Sequence, residues 1–317
     1  MAGWPVQLRP GHHTVGRVVG DVLTTFTDST MTTIAADGAI QHGVRVPNVE
    51  TCCGDEWAVG PAGIAYGVVP VSGFTEGSGE VSRTAAVDLS GMRSGWPVNI
   101  DGMASGPAFG PDGKIMLTVG SFAGETSRVL VFGPGGTAVS ALSAKLPVDT
   151  AETGVDCTPG SPEPPVVAQD GTTFVFSEID TAVYALDPSL KVMAGWPYRA
   201  STPLVHPGWN DPRYEIPCAA IGRPAVGPGN VLYMPLQARN ASVGQRIVAV
   251  GPDGRSRTGW PVELRRSGAE IYAVVVGSDG TVYAMAVEPE TAGGSSATIL
   301  AIAPDSTVLY RTTIMNP

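Results

Sequence analysis

Gly259-Trp260-Pro261-Val262 decides how this chain is read, because the phrase recurs as Gly3-Trp4-Pro5-Val6, Gly95-Trp96-Pro97-Val98 and Gly195-Trp196-Pro197-Tyr198. Three copies follow a short apolar run closed by a turn of Pro, Asp, Gly or Ser, and repetition on this scale marks one supersecondary unit copied along a line or around an axis. The unit is plainest around the last copy. Ala225-Val226-Gly227 reads as a strand, Pro228-Gly229-Asn230 as a turn, Val231-Leu232-Tyr233-Met234 as a second strand and Arg246 to Val250 as a third. Pro252-Asp253-Gly254 then supplies a turn, Pro presetting φ and Gly accepting a positive one, before a fourth strand through Trp260 to Leu264.

The same order fits five other segments, and helical periodicity is nearly absent. The reading is all-β: a β-propeller of six four-stranded blades with an extra N-terminal strand, seven blades with one incomplete being the alternative. Blade closure hides short sheet edges, whereas the repeats of a linear β-solenoid are much shorter than these. Residues 1–317 are taken as one propeller domain, with residues 1–11 as the extra outer strand and blades at about 12–50, 51–101, 102–150, 151–206, 207–267 and 268–317. Trp4 stands in a fourth strand with no first three before it. Its strand continues a longer protein, closes the ring on the last blade, or pairs with a neighbouring molecule by β-augmentation.

The run Ala185-Leu186-Asp187-Pro188 through Lys191 to Trp196 resembles the tryptophan-docking pattern of the PQQ-like, quinoprotein-type propeller repeats. Ala86-Val87-Asp88-Leu89 through Trp96 and Ala249-Val250-Gly251-Pro252 through Trp260 are similar in looser form. The resemblance implies the fold and not bound PQQ. The catalytic quinoproteins have eight blades and longer chains, so the likeness points to a non-catalytic member, with no cofactor expected.

Composition narrows the partners. A net charge of −10 on 317 residues lacks the basic stripe that phosphate backbones require, which excludes nucleic acid as the expected ligand. The same sign disfavours an anionic membrane surface. No stretch approaches the ~18 consecutive apolar residues of a membrane-spanning helix. Lysine occurs only at Lys114, Lys145 and Lys191, within 19 Lys+Arg. Four cysteines, few charges and many turns suit an oxidising, extracytoplasmic or secreted setting. Met1-Ala2-Gly3-Trp4 does not look like a signal peptide, so the chain is read as a mature or trimmed form.

Candidate site residues gather in the connections from one blade to the next. Cys52, Cys53, Cys157 and Cys218 all fall there. Their plain reading is structural disulfides, Cys157 with Cys218 tying two long loops, worth roughly 3–5 kcal/mol in the chain-entropy model. Metal binding by these thiolates with His12 or His13 is the sharper reading, but no C-x₂-C spacing supports it, and no metal is expected. Asp55, Glu56 and Trp57 form one candidate ligand-binding cluster, and Trp209, Asp211, Arg213, Tyr214 and Glu215 a second. Aromatics beside charges are the composition of recognition surfaces. The four histidines lie near no G-x-S-x-G elbow, and no Asp-Gly pair has the density of a calcium loop.

The function expected from sequence is therefore an extracytoplasmic binding or scaffolding propeller that presents its cysteine- and tryptophan-bearing loop face to a protein, peptide or glycan. A hydrolase or lyase with acids such as Asp55, Glu56, Asp156 or Glu215 at the channel mouth is the alternative. A structural subunit that self-assembles through its first strand is a third reading. Enzyme activity is not expected, and no catalytic residue is named.

Overall fold

The structure is a computed structural model describing residues 13–19, 21–27, 30–45, 57–60, 62–70, 81–120, 128–133, 144–146, 163–177, 182–199, 224–236, 245–263, 270–289 and 295–315. The extra strand expected over residues 1–11 lies outside them. Six antiparallel meanders follow one another, and the chain divides into two compact units of three sheets each. This succession is an all-β, six-bladed β-propeller.

In the first unit, blade 1 contains β1 (His13–Val19), β2 (Val22–Thr27), β3 (Thr30–Ala35) and β4 (Ile40–Arg45). Blade 2 contains β5 (Trp57–Val59), β6 (Ala65–Pro70), β7 (Val81–Asp88), β8 (Gly91–Met92) and β9 (Val98–Asp101). Blade 3 contains β10 (Met103–Ala104), β11 (Ala108–Phe109), β12 (Ile115–Gly120), β13 (Arg128–Phe132) and β14 (Ala144–Lys145). The five pieces of blades 2 and 3 still fill four strand positions: β8 and β9 both pair with β7, and β10 and β11 both pair with β12.

In the second unit, blade 4 contains β15 (Val166–Val167), β16 (Thr173–Ser177), β17 (Ala182–Leu186) and β18 (Tyr198–Arg199). Blade 5 contains β19 (Ala225–Gly227), β20 (Val231–Leu236), β21 (Arg246–Val250) and β22 (Val262–Glu263), and blade 6 contains β23 (Glu270–Val276), β24 (Val282–Pro289), β25 (Ser295–Ile302) and β26 (Val308–Met315). Trp57–Val59 and Ala225–Gly227 occupy the residues that sequence pattern assigned to them.

Middle strands read as unbroken apolar runs because both of their faces are covered. All six residues of β20 are buried, and the period of two divides them between neighbours. Leu232, Met234 and Leu236 pack with Phe174, Phe176, Val183 and Trp196 of blade 4. Val231 and Tyr233 pack with Ile271, Val282, Ala284 and Leu300 of blade 6. Blade 6 shows one buried face only: Val282, Ala284 and Ala286 are buried, whereas Tyr283 and Met285 between them are 44% and 45% exposed.

The fourth strand is where sequence pattern and structure part. A continuous strand through each tryptophan was expected. Instead the chain pairs briefly with the third strand, over the two residues of β8, at Val192 opposite Leu186, or at Ser256 opposite Val250, and then leaves it. It turns at Arg93–Trp96, Met193–Trp196 or Arg257–Trp260, each closed by a 3.2 Å bond from the tryptophan N–H to the carbonyl three residues before it. Gly95, Gly195 and Gly259 have φ of 86, 88 and 87° at the third position, where this turn class needs a positive φ. The Trp96-Pro97, Trp196-Pro197 and Trp260-Pro261 bonds are cis. Only afterwards does the chain resume pairing, as β9, β18 and β22.

That turn throws the indole onto the next blade. Trp196 Nε1 donates to the Pro252 carbonyl at 3.1 Å and Trp260 Nε1 to the Pro304 carbonyl at 3.2 Å, so a large apolar ring is buried without stranding its polar atom. Each ring leans on an aromatic of its own blade: Trp96 on Tyr66 at 5.5 Å, Trp196 on Phe174 at 5.4 Å and Trp260 on Tyr233 at 5.2 Å. Trp96 Nε1 has no partner among the described residues. Backbones touch at the same seam, where a Cβ on Gly195 would lie 2.3 Å from the Asp253 carbonyl oxygen.

Gly195→Ala should therefore cost both the positive-φ penalty and the blade 4–blade 5 contact. Gly63→Ala meets nothing within 4 Å and costs the φ penalty alone. In urea unfolding, Gly63→Ala is expected to destabilise by about 1 kcal/mol and Gly195→Ala by more than about 2 kcal/mol. Trp260→Phe, which keeps a ring and removes the N–H, is expected to cost about 1–3 kcal/mol.

Candidate functional site

Each sheet has two unlike ends. First and second strands, and third and fourth, are joined at one end by tight turns, eight of which share a single plan. Gly110 N donates to the Lys114 carbonyl and Gly113 N to the Gly110 carbonyl, and the same two bonds recur at Ala35–Ala39, Gly60–Ile64, Ala168–Thr172, Asp187–Lys191, Gly251–Arg255, Gly277–Thr281 and Ala303–Thr307. The fourth residue takes positive φ, for which glycine serves at Gly38, Gly113 and Gly254 but Leu190 and Ser306 stand in two turns. Aspartates pin these turns by accepting a backbone N–H two residues on, as Asp112, Asp170, Asp253, Asp279 and Asp305 do.

Those bonds set the acidity of the carboxylates. The Thr281 and Thr307 amides, with their hydroxyls, hold Asp279 and Asp305 below the usual range, and the Thr172 amide does so for Asp170. Asp187 is lowered first by the Ser189 hydroxyl. Asp88 is lowered to about 2, by the Ser90 hydroxyl first and then by Arg93, whose guanidinium lies 2.9 Å away. Such carboxylates stay ionised and are engaged in turn geometry. Burial raises the phenols of Tyr66 and Tyr233, and the nearby Arg93 and Arg257 oppose it.

A cavity lies at this tight-turn end of blades 5 and 6. It is an open groove of about 860 Å³, lined by the Gly251–Arg255 turn, by Ser256 to Gly259, and by Pro304 and Asp305. Sequence reading passed over it. The usable signal was a break in the repeat: Arg257 takes the backbone position of Arg93, each donating its N–H to a third-strand alanine carbonyl, but Gly251 stands where Asp88 pairs with Arg93.

At the other end run connections of unequal length, from Gly102 alone between β9 and β10 to residues 200–224 between β18 and β19. Trp57, placed on β5, is 8% exposed and stacks on Phe26 with ring centroids 5.8 Å apart, in the packing between blades 1 and 2. Gly67 leaves room for it, since a Cβ there would lie 2.3 Å from the indole. Trp57 is thus packed between the two sheets, and its Nε1 has no hydrogen-bond partner among the described residues. Asp55, Glu56, Trp209, Asp211, Arg213, Tyr214, Glu215 and all four cysteines lie outside the described residues, as do His12, Asp156 and His206. Among the described residues no group of His, Cys, Asp and Glu is arranged to hold a metal, and no helix is long and apolar enough to cross a membrane.

With this geometry in hand, likeness to solved structures extends over nearly the whole chain. Virginiamycin B lyase from Staphylococcus aureus superposes with a TM-score of 0.55 at 12% identity, covering 95% of this chain and 94% of that one. A protein of unknown function from Bacteroides caccae gives 0.51 at 11% identity, over 96% and 94% of the two chains. Apo AztD from Citrobacter koseri gives 0.55 at 12% identity, over 98% of this chain and 75% of that one. Likeness at such identity is a likeness of fold, and it places the chain among propeller proteins without carrying over an activity. No protein-family model and no curated protein sequence matches the chain.

The Asp88 arrangement has a definite pH signature. A folded-state value of about 2, below the ordinary value of 3.8, means that its contribution is present above the ordinary value and is lost as pH falls toward 2. The pair is partly solvated, so Asp88→Asn should cost less than about 1 kcal/mol at pH 7. In urea unfolding from pH 6 to pH 2, the gap between wild type and variant should close below about pH 4.

Proposed function

We propose that this chain is a non-catalytic binding propeller of the PQQ-like repeat type, extracytoplasmic, that holds a protein, peptide or glycan at the end carrying the long connections. One observation carries the reading. The tight-turn end is stereotyped, whereas the other end has connections of very unequal length: 71–80 between β6 and β7, 146–165 between β14 and β15, and 200–224 between β18 and β19. Variable loops on a repeated scaffold are where recognition is built.

The repeat type is supported by the indole bonds of Trp196 and Trp260 to the next blade's turn, the contact implied by the sequence resemblance. On this reading Cys157 and Cys218 join two of the long connections as a disulfide, and Cys52 and Cys53 supply a second cross-link. Trp209 and Tyr214 supply the aromatic contact, and Asp211, Arg213 and Glu215 the polar rim.

Binding to peptide and glycan arrays tests this. Trp209→Ala with Tyr214→Ala should lower binding by at least about tenfold, the loss of two aromatic anchors, and leave the unfolding midpoint in place. Ligand recovered from the complex should be chemically unchanged by mass spectrometry. Recovery of a cleaved ligand would sink the non-catalytic reading. Unchanged binding by the double variant would move the site away from the 200–224 connection.

A further inference from the structure

We propose that the groove between the Gly251–Arg255 turn and the Pro304–Asp305 turn is a binding site for a carboxylate or phosphate group, held by Arg255 and Arg257. It lies at the opposite end of blades 5 and 6 from the long connections and is independent of the function proposed above.

The two arginines are brought together by backbone geometry. Ser256 bridges to Val250, so the segment is extended there, and residues two apart on an extended strand project to the same side, roughly 7 Å from one another. Both are exposed and both line the groove. Neither has an ion pair among the described residues, where the pairs are Arg93 with Asp88 and Lys114 with Asp112.

The repeat supplies an internal comparison. In blade 2 the arginine of the tryptophan turn is neutralised by the first residue of the preceding turn, Asp88, at 2.9 Å. In blade 4 that acid is Asp187, while the turn residue is Met193. Blade 5 keeps the arginine, replaces the acid with Gly251, and carries Arg255 where blade 4 has Lys191, so only in blade 5 do two arginines stand there with no acid at the head of the turn. Each acid of the groove has one oxygen on a turn amide: Asp253 Oδ1 accepts the Arg255 amide at 3.2 Å, and Asp305 Oδ1 accepts the Thr307 amide at 3.0 Å. The four formal charges cancel, so recognition here rests on the fork geometry of two guanidinium groups rather than on a broad positive field. A planar or tetrahedral group with two or three anionic oxygens suits two such forks, and Thr258 also lines the groove.

The test uses the full chain with arginine side-chain NMR and titration calorimetry. Two probes separate the sources of such a group: inorganic phosphate for a free anion, and a blocked triglutamate peptide for an acidic segment of a partner protein. Saturable shifts of the Arg255 and Arg257 Nε–Hε signals are expected with at least one probe. Arg255→Gln and Arg257→Gln should each weaken that binding about tenfold, about 1.4 kcal/mol. Arg257→Lys should recover only part of the loss, because it restores charge without the fork. Arg93→Gln, at the neutralised equivalent in blade 2, should leave binding unchanged. A response to phosphate alone marks a small-anion site, and a response to peptide alone marks a docking site for an acidic segment. The proposal is overturned if neither probe shifts the two signals, or if the Arg255→Gln/Arg257→Gln double variant, folded by its circular dichroism, binds as well as wild type.

Discussion

An indole N–H donated to the carbonyl of the next blade's turn is the contact on which this fold most depends. Stacked sheets share no ladder of hydrogen bonds, because ladder bonds run within a sheet and the facing surfaces meet mostly through side chains. Apolar packing alone is non-directional and leaves the stagger of one sheet on the next loosely specified. The Trp196–Pro252 and Trp260–Pro304 bonds remove that freedom by tying a fixed point of one blade to a fixed point of its successor. The rest of the turn serves this bond. Glycine allows the backbones to meet, the positive φ aims the indole, and Phe174 or Tyr233 supports the ring from behind.

Electrostatics at the tight-turn end follows from the same economy of shape. Few aspartates there face an opposite charge; most accept amides of their own turns, which fixes ionised carboxylates at repeated positions and helps to make a protein with few charged residues acidic overall. Arg255 and Arg257 stand out against that background. They sit where the repeat drops an acid instead of supplying one.

Much of the fold was legible because its punctuation is local. Pro252-Asp253-Gly254 and Ser278-Asp279-Gly280 announce turns whose chemistry needs only four or five residues, and apolar runs such as Val231 to Leu236 between them can only be covered strands. The break in the fourth strand had a local signal in Gly259 and Pro261 on either side of Trp260, but nothing in the pattern showed that the chain turns away after one bridge and returns to pair at Val262. Trp57 shows the limit of composition as a guide to sites. An aromatic next to Asp55 and Glu56 looks like a recognition cluster, but its position as first residue of an inner strand beside Gly67 directs the ring into packing. The Arg255–Arg257 groove was hidden for a different reason. Two arginines flanking a serine are unremarkable until the neighbouring turn, some fifty residues later in the chain, is seen to form the opposite wall.

The alternation along β20 also fixes how far a disturbance can travel. Its even residues belong energetically to blade 4 and its odd residues to blade 6. A change at Met234 is therefore felt by Phe174 and its neighbours, while a change at Tyr233 is felt by Trp260, although the two residues are adjacent in the chain. Coupling in such a stack is of nearest-neighbour kind, like spins on a line, and fades beyond one sheet. That locality lets one blade acquire a long connection or shed an acid without disturbing the sheets two places away, so a monotonous scaffold can carry dissimilar surfaces at its two ends.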